Sequence, residues 1–175
     1  LLEKHFKKND FILGKSVENF EKNFSKFTKS KYCVGCANGT DALYLALKCL
    51  NLQRNDEVIV PAFTWVSTAN VVEHQGAKPV LCDIDLETFN IDTDKIENLI
   101  TDRTVGIIPV HLFGLAADMA NILNIAERYN LWVVEDAACG FGAKYHNQHV
   151  GFFGDAGVFS FHPRKAITTG EGGMV

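Results

Sequence analysis

Apolar positions along this chain change their period from one segment to the next. Val17, Phe20, Phe24 and Phe27 recur at helical spacing, which predicts a helix opening at a Ser16 N-cap. Leu43, Ala46, Leu47 and Leu50 repeat that spacing behind the turn Ala37-Asn38-Gly39-Thr40. Further helices are predicted from about Val66 to His74, ended by Gly76, from Thr93 to Ile100 behind a Thr/Asp cap, and from Ala117 to Tyr129. Between these segments lie short apolar runs that read as strands. They are YCVGC (32–36), EVIV stopped by Pro61, PVLCDI (79–84), TVGIIPV (104–110), LWVVED (131–136) and GVFSF (157–161). Several of them are continuously apolar, as expected of strands covered on both faces. Strands alternating with helices predict an α/β fold, a mainly parallel sheet sandwiched by helices.

Composition narrows the function. The chain has 175 residues, enough for one domain with a sizeable core. The net charge is -4, which speaks against a nucleic-acid partner or a membrane surface. The lysines from Lys4 to Lys31 are interleaved with acids and phenylalanines and read as the wet face of a helix. No apolar run is long enough to span a bilayer. Five scattered cysteines suit a reducing, cytoplasmic setting better than a disulfide framework. Cys33-Val34-Gly35-Cys36 is a C-x-x-C without a second pair or a helix start, and is read as a strand with two buried thiols. His146 and His149 lack further ligands at a standard spacing, so they are placed in a turn with Asn147, and no metal is expected. In Gly140-Phe141-Gly142 the third glycine of a dinucleotide loop would fall on Tyr145, so that match fails. His111 is read as a core or supporting residue.

Ligands of such folds gather beyond the carboxyl ends of the strands. Four of these junctions carry useful chemistry. Gly39 and Thr40 open a helix, where free N–H groups and a hydroxyl suit a phosphate, although a plain capped turn looks the same. Trp65 follows a proline-ended strand and offers a flat face for stacking, or simply packs in the core. Asp136 ends a buried apolar strand, so its carboxylate wants a cation: a metal, an Arg or Lys, or a protonated heterocycle. It could equally cap the next turn. Lys165 follows the strand bearing Ser160; at the mouth of an apolar pocket its amine could attack a carbonyl, although most lysines simply face solvent. An anion seat, a stacking face, a buried carboxylate and an amine are together what pyridoxal 5'-phosphate requires.

The stretches ANGTDALYLAL, VIVPAFTWVSTAN, VHLFG, VVEDAACGFGAKY, GDAGVFSFHPRK and TTGEGGMV resemble the DegT/DnrJ/EryC1/StrS sugar aminotransferases. The resemblance covers nearly the whole chain, in family order. It implies a fold-type-I pyridoxal-phosphate enzyme that moves an amino group, usually from glutamate, onto a nucleotide-linked keto sugar for surface polysaccharide or secondary metabolites. Lys165 then matches the lysine that bonds the cofactor aldehyde and afterwards shuttles the substrate's proton. Asp136 matches the partner of the ring nitrogen, Trp65 the stacked aromatic, and Gly39, Thr40 and Ser160 the phosphate site. Cys139 stands where the family usually carries Gln or His near the cofactor's phenolic oxygen. A thiol is a weaker partner there. The resemblance further implies a homodimer with shared active sites. In the family a small C-terminal domain follows the lysine segment, so residues 1–175 read as the large cofactor-binding domain, a fragment truncated at both ends. Two other readings remain: a sugar dehydratase of the same superfamily, in which histidine replaces the lysine, and a non-catalytic regulatory relative. The glycines of TTGEGGMV are expected to let the backbone turn tightly beneath the cofactor.

Overall fold

The fold is that of a computed structural model, which describes residues 2–9 and 11–175. Its helices are α1 (Leu2–Lys8), α2 (Lys15–Thr28), α3 (Gly39–Cys49), α4 (Ser67–His74), α5 (Thr93–Ile96) and α6 (Met119–Tyr129). Its strands are β1 (Gly35–Cys36), β2 (Glu57–Pro61), β3 (Lys78–Cys82), β4 (Thr104–Ile107), β5 (Trp132–Asp136), β6 (Lys144–Tyr145), β7 (Gln148–His149), β8 (Ala156–Ser160) and β9 (Gly173–Met174). Seven strands form one sheet in the order β1-β9-β8-β5-β4-β2-β3, and β6 with β7 makes a separate hairpin. The five strands from β8 to β3 run parallel. β9 is antiparallel to both β8 and β1. The expected α/β fold with a mainly parallel sheet is therefore present.

Alternation along β2 shows why its apolar run is continuous. Val58 and Val60 face a core shared with Ala42, Leu43, Ala46 and Leu47 of α3 and Val71 and Val72 of α4. Ile59 faces the opposite core, with Ile122, Ile125 and Ala126 of α6 and Ile96 of α5. Helices cover both faces, so both side-chain sets are buried. A third cluster seats α2. Phe24 is buried, with its ring centroid 4.9 Å from Phe159 and 5.5 Å from Phe161. Burial of that one ring contributes about 2 to 3 kcal/mol.

Several local expectations need correction. Gly14, not Ser16, is the N-cap of α2, and the Ser16 hydroxyl instead bonds His5 Nε2 at 3.0 Å. Of the phenylalanines on α2 only Phe24 is buried, while Phe27 is half exposed and stacks on Phe141. The strand expected over 32–36 shrinks to β1, and Cys33 and Cys36 are half-buried rather than buried. Pro109 lacks the N–H a strand would need, and β4 ends before it. The helix begun at Thr93 tightens into a 3-10 turn after Ile96. Lys7, Lys22, Lys26, Lys29 and Lys31 are exposed, as a wet face requires. The side chains of Lys4 and Lys8 lie outside the described residues. His146 and Asn147 form the tight turn between β6 and β7, both with positive φ, whereas His149 is buried in β7 rather than in the turn. Among the described residues no helix is long and apolar enough to cross a membrane.

One buried charge anchors the amino ends of the strands. Glu57 opens β2 with only 2% of its surface exposed. Its carboxylate accepts from Thr101 Oγ1 at 2.6 Å, Lys78 Nζ at 3.0 Å and Arg103 at 2.9 Å. The Thr101 bond above all, with Lys78 and Arg103, outweighs burial and holds its pKa at about 2, below the ordinary 4.5. A depressed carboxylate stabilises the fold above its ordinary pKa, and that contribution disappears as pH falls from 4.5 through about 2. Glu57→Gln is expected to cost about 2 kcal/mol at neutral pH, a figure discounted because both cations are largely exposed. Urea unfolding of the variant should also show a shallower loss of stability on the acid side.

Candidate active site

The carboxyl ends of β2, β5 and β8 and the amino end of α3 surround a cleft of about 550 Å³. All seven site residues expected from the sequence line it: Gly39, Thr40, Trp65, Asp136, Cys139, Ser160 and Lys165. They come from four separate junctions, and a parallel sheet sends all of its strand ends to one edge.

Asp136 is the last residue of β5 and is 5% exposed. Its backbone is pinned by Asp136 N to Pro109 O at 2.8 Å and His111 N to Asp136 O at 3.0 Å. Thr68 Oγ1 donates to Oδ2 at 2.8 Å, and the N–H of Ala138 donates to Oδ1 at 3.1 Å. Burial still pushes the carboxyl pKa up, against these two donors and the nearby His111 and Lys165. The acid is thus held in one orientation, short of a cation.

Its neighbour Glu135 points elsewhere and serves the scaffold. It accepts the N–H groups of Gly151 at 2.7 Å, Phe153 at 2.5 Å and Gly154 at 2.8 Å. His111, fully buried, takes the Ala117 N–H on Nδ1 at 3.1 Å. Nε2 therefore carries the ring proton and donates it to Glu135 at 3.0 Å. This is the core role expected of His111.

The amino end of α3 forms the opposite wall. Asn38 caps the helix, its side chain accepting from Asp41 N at 2.8 Å and its carbonyl from Ala42 N at 3.0 Å. The N–H groups of Gly39 and Thr40 find no acceptor among the described residues. A Cβ on Gly39 would stand 2.9 Å from Ser160 Cβ, so only glycine lets this turn lie against the end of β8. Ser160 is thereby brought beside two free donors. Gly173 serves the same wall: a Cβ there would overlap the Asn38 carbonyl. β9 thus braces the α3 turn.

Lys165 sits on a turn closed by its own N–H to His162 O at 2.9 Å. Its Nζ donates to Cys139 Sγ at 3.2 Å. Trp65, 67% exposed, lies on the rim with Phe63 and Phe113.

The DegT/DnrJ/EryC1/StrS aminotransferase family model matches residues 1–175. This chain belongs to that family. It is 49% identical, over 93% of its length, to GDP-perosamine synthase of Caulobacter vibrioides. It is 47% identical, over 94%, to UDP-N-acetyl-3-dehydro-α-D-glucosamine 3-aminotransferase of Acidithiobacillus ferrooxidans. Among solved structures, NtdA of Bacillus subtilis with bound cofactor PMP superposes on 99% of the chain with a TM-score of 0.94 at 39% identity. The chain spans 44%, 45% and 39% of these proteins respectively, less than half of each.

Sequence reasoning missed two residues of the site. Ser67 Oγ lies 2.9 Å from Thr40 Oγ1 and adds a third hydroxyl near the anion seat. Thr68, fully buried, orients Asp136. Both lie in the quoted stretch VIVPAFTWVSTAN at the start of α4, where Ser and Thr read as ordinary helix-start residues. Their signal was two adjacent hydroxyls just after a strand end.

Proposed function

We propose that this protein is a pyridoxal-phosphate-dependent aminotransferase that moves an amino group from an amino acid, glutamate by resemblance, to a nucleotide-linked keto sugar. The carrying observation is the convergence of a lysine, a desolvated carboxylate, an exposed tryptophan and a hydroxyl-lined helix start on one cleft. The residues fit the cofactor. Gly39, Thr40 and Ser160, with Ser67 beside them, would hold its phosphate at the positive end of α3. Trp65 would stack on its ring. Asp136 would pair with the protonated ring nitrogen, which supplies the cation its burial calls for. Lys165 is the amine for its aldehyde.

Pyridoxal phosphate supplies an aldehyde that carries the amino group and a protonated ring that takes up the electron pair left by the departing α-proton. The chain supplies the rest. Lys165 Nζ would take the donor's α-proton and hold it at the cleft for its return. Asp136 would keep the ring nitrogen protonated. Thr68 and Ala138 keep Asp136 in place. Lys165 stands where the related sugar dehydratases carry histidine, which favours transfer over dehydration.

The substrate class rests on relatives whose names specify GDP- and UDP-linked sugars. A homodimer with shared sites follows from the resemblance, and the exposed Phe63, Trp65 and Phe113 at the cleft mouth would give a partner an apolar surface to cover. All five cysteines are free, in keeping with a reducing, cytoplasmic setting. The test uses the full-length protein, pyridoxal phosphate, glutamate and a panel of nucleotide-linked 3-keto and 4-keto sugars. Amino-sugar product is the expected result. A protein that stays colourless with added cofactor and makes no product would refute the reading.

A further inference from the structure

We propose that Cys139 is a positioning residue for Lys165: its thiol holds the lysine amine whenever that amine is off the cofactor. The inference rests on the aminotransferase reading above.

The contact is built by backbone. β5 and β8 are adjacent parallel strands, with Asp136 opposite Val158. Each ends in a tight turn. After β5, Gly140 N bonds Ala137 O at 2.8 Å, and Ala138 N is held by the Asp136 carboxylate at 3.1 Å. After β8, Lys165 N bonds His162 O at 2.9 Å. These turns bring two side chains 26 positions apart to 3.2 Å.

The other charged or titratable groups on the cleft leave Lys165 to the thiol. Asp136 accepts from Thr68 and Ala138 and makes no hydrogen bond with Lys165 Nζ. Glu171 lies 3.7 Å from His162 Nε2. Arg164 is a cation and cannot accept. Among the described residues, Cys139 Sγ is the hydrogen-bond partner of Lys165 Nζ.

The chemistry of a thiol suits this task. Sulfur accepts weakly from an ammonium, and S–H donates weakly to a neutral amine. Cys139 can therefore hold the lysine in either protonation state without adding a charge. A carboxylate in its place would favour the ammonium form and oppose proton abstraction. The bond is also weak enough to release the amine when it must return to the aldehyde.

The test compares Cys139→Ala and Cys139→Ser with the unmutated full-length protein. One arm uses cofactor-free protein. Acetic anhydride labelling of Lys165 is read by peptide mass spectrometry, with exposed Lys48 as reference. The other arm uses holoenzyme and follows deuterium exchange at the α-carbon of glutamate across pH. In Cys139→Ala, labelling should quicken and exchange should slow, each by about tenfold, the equivalent of one weak hydrogen bond. The pH profile of exchange should shift, cofactor affinity should hold within about twofold, and serine should restore most of both rates. Unchanged labelling and exchange in the alanine variant overturn the proposal, and a change in one without the other counts against it. A large loss of cofactor affinity also overturns it, because the thiol would then be a cofactor contact. In all these cases the visible band of the unmutated holoenzyme stands. Its absence refutes the aminotransferase reading itself.

Discussion

Lys165→Ala is expected to abolish the visible absorption band of the lysine-linked cofactor and to lower amino transfer by about 10⁴-fold or more. In the proposed mechanism the side chain has two tasks, holding the aldehyde and moving the α-proton, and no neighbour could assume either. It is the one lysine on the cleft among the described residues. Arg164 shares the cleft, but a guanidinium stays protonated and is neither nucleophile nor base at neutral pH. The proposed phosphate seat at Gly39, Thr40 and Ser160 is untouched by the substitution, as are Asp136 and Trp65. The variant should therefore still bind free pyridoxal phosphate, which equilibrium dialysis would show. Retained transfer, or a band that survives the substitution, would remove Lys165 from the mechanism. Loss of binding together with loss of the band would instead indicate a damaged cleft.

Asp136→Asn is expected to lower transfer by about 10³-fold and to make the cofactor-free protein more stable at neutral pH. The first effect follows from the ring nitrogen, which loses the anion that keeps it protonated. The second follows from burial. The carboxyl pKa is pushed above its ordinary 3.8 because the charged form is poorly solvated in the cleft. A group raised in this way supports the fold below its ordinary pKa, and that support disappears as pH rises through the elevated value. Asparagine has no charge to desolvate and can keep partners in Thr68 and Ala138. Urea unfolding of both cofactor-free proteins at acid and at neutral pH would check this. The variant should be the more stable at neutral pH, and the gap should close on acidification. A less stable variant at neutral pH would mean that the Thr68 and Ala138 bonds outweigh the burial cost. Stability given up at a site that awaits a cation is a familiar cost of function.

Much of this site was legible before the fold. Gly39, Trp65, Asp136 and Lys165 each follow a predicted strand, and strand ends of a parallel sheet meet at one edge, so their convergence was implied by the alternation of elements. What stayed hidden depended on contacts between distant segments. Thr68 looked like any helix-start hydroxyl until Asp136, 68 positions away, was found to accept from it. Cys139 lines the cleft as expected, but its contact with Lys165, 26 positions away, had no signal in the sequence. β9 is two residues long, too short for any periodicity, and exists only because it pairs with β1 and β8. Ser16 had the composition of a cap, but its hydroxyl found His5 instead.

By itself the sequence determined the α/β class, the alternation of the main helices with the parallel strands, and the types of group at the strand ends. Those properties are local, set by the spacing of apolar residues and by which residue follows each strand. Tertiary structure alone decided how those groups are oriented and charged. It desolvated Asp136, gave it Thr68 as a donor, pressed Gly39 against Ser160 and set Lys165 on Cys139. Burial and hydrogen bonding depend on which segments lie side by side, and no single stretch of chain carries that information.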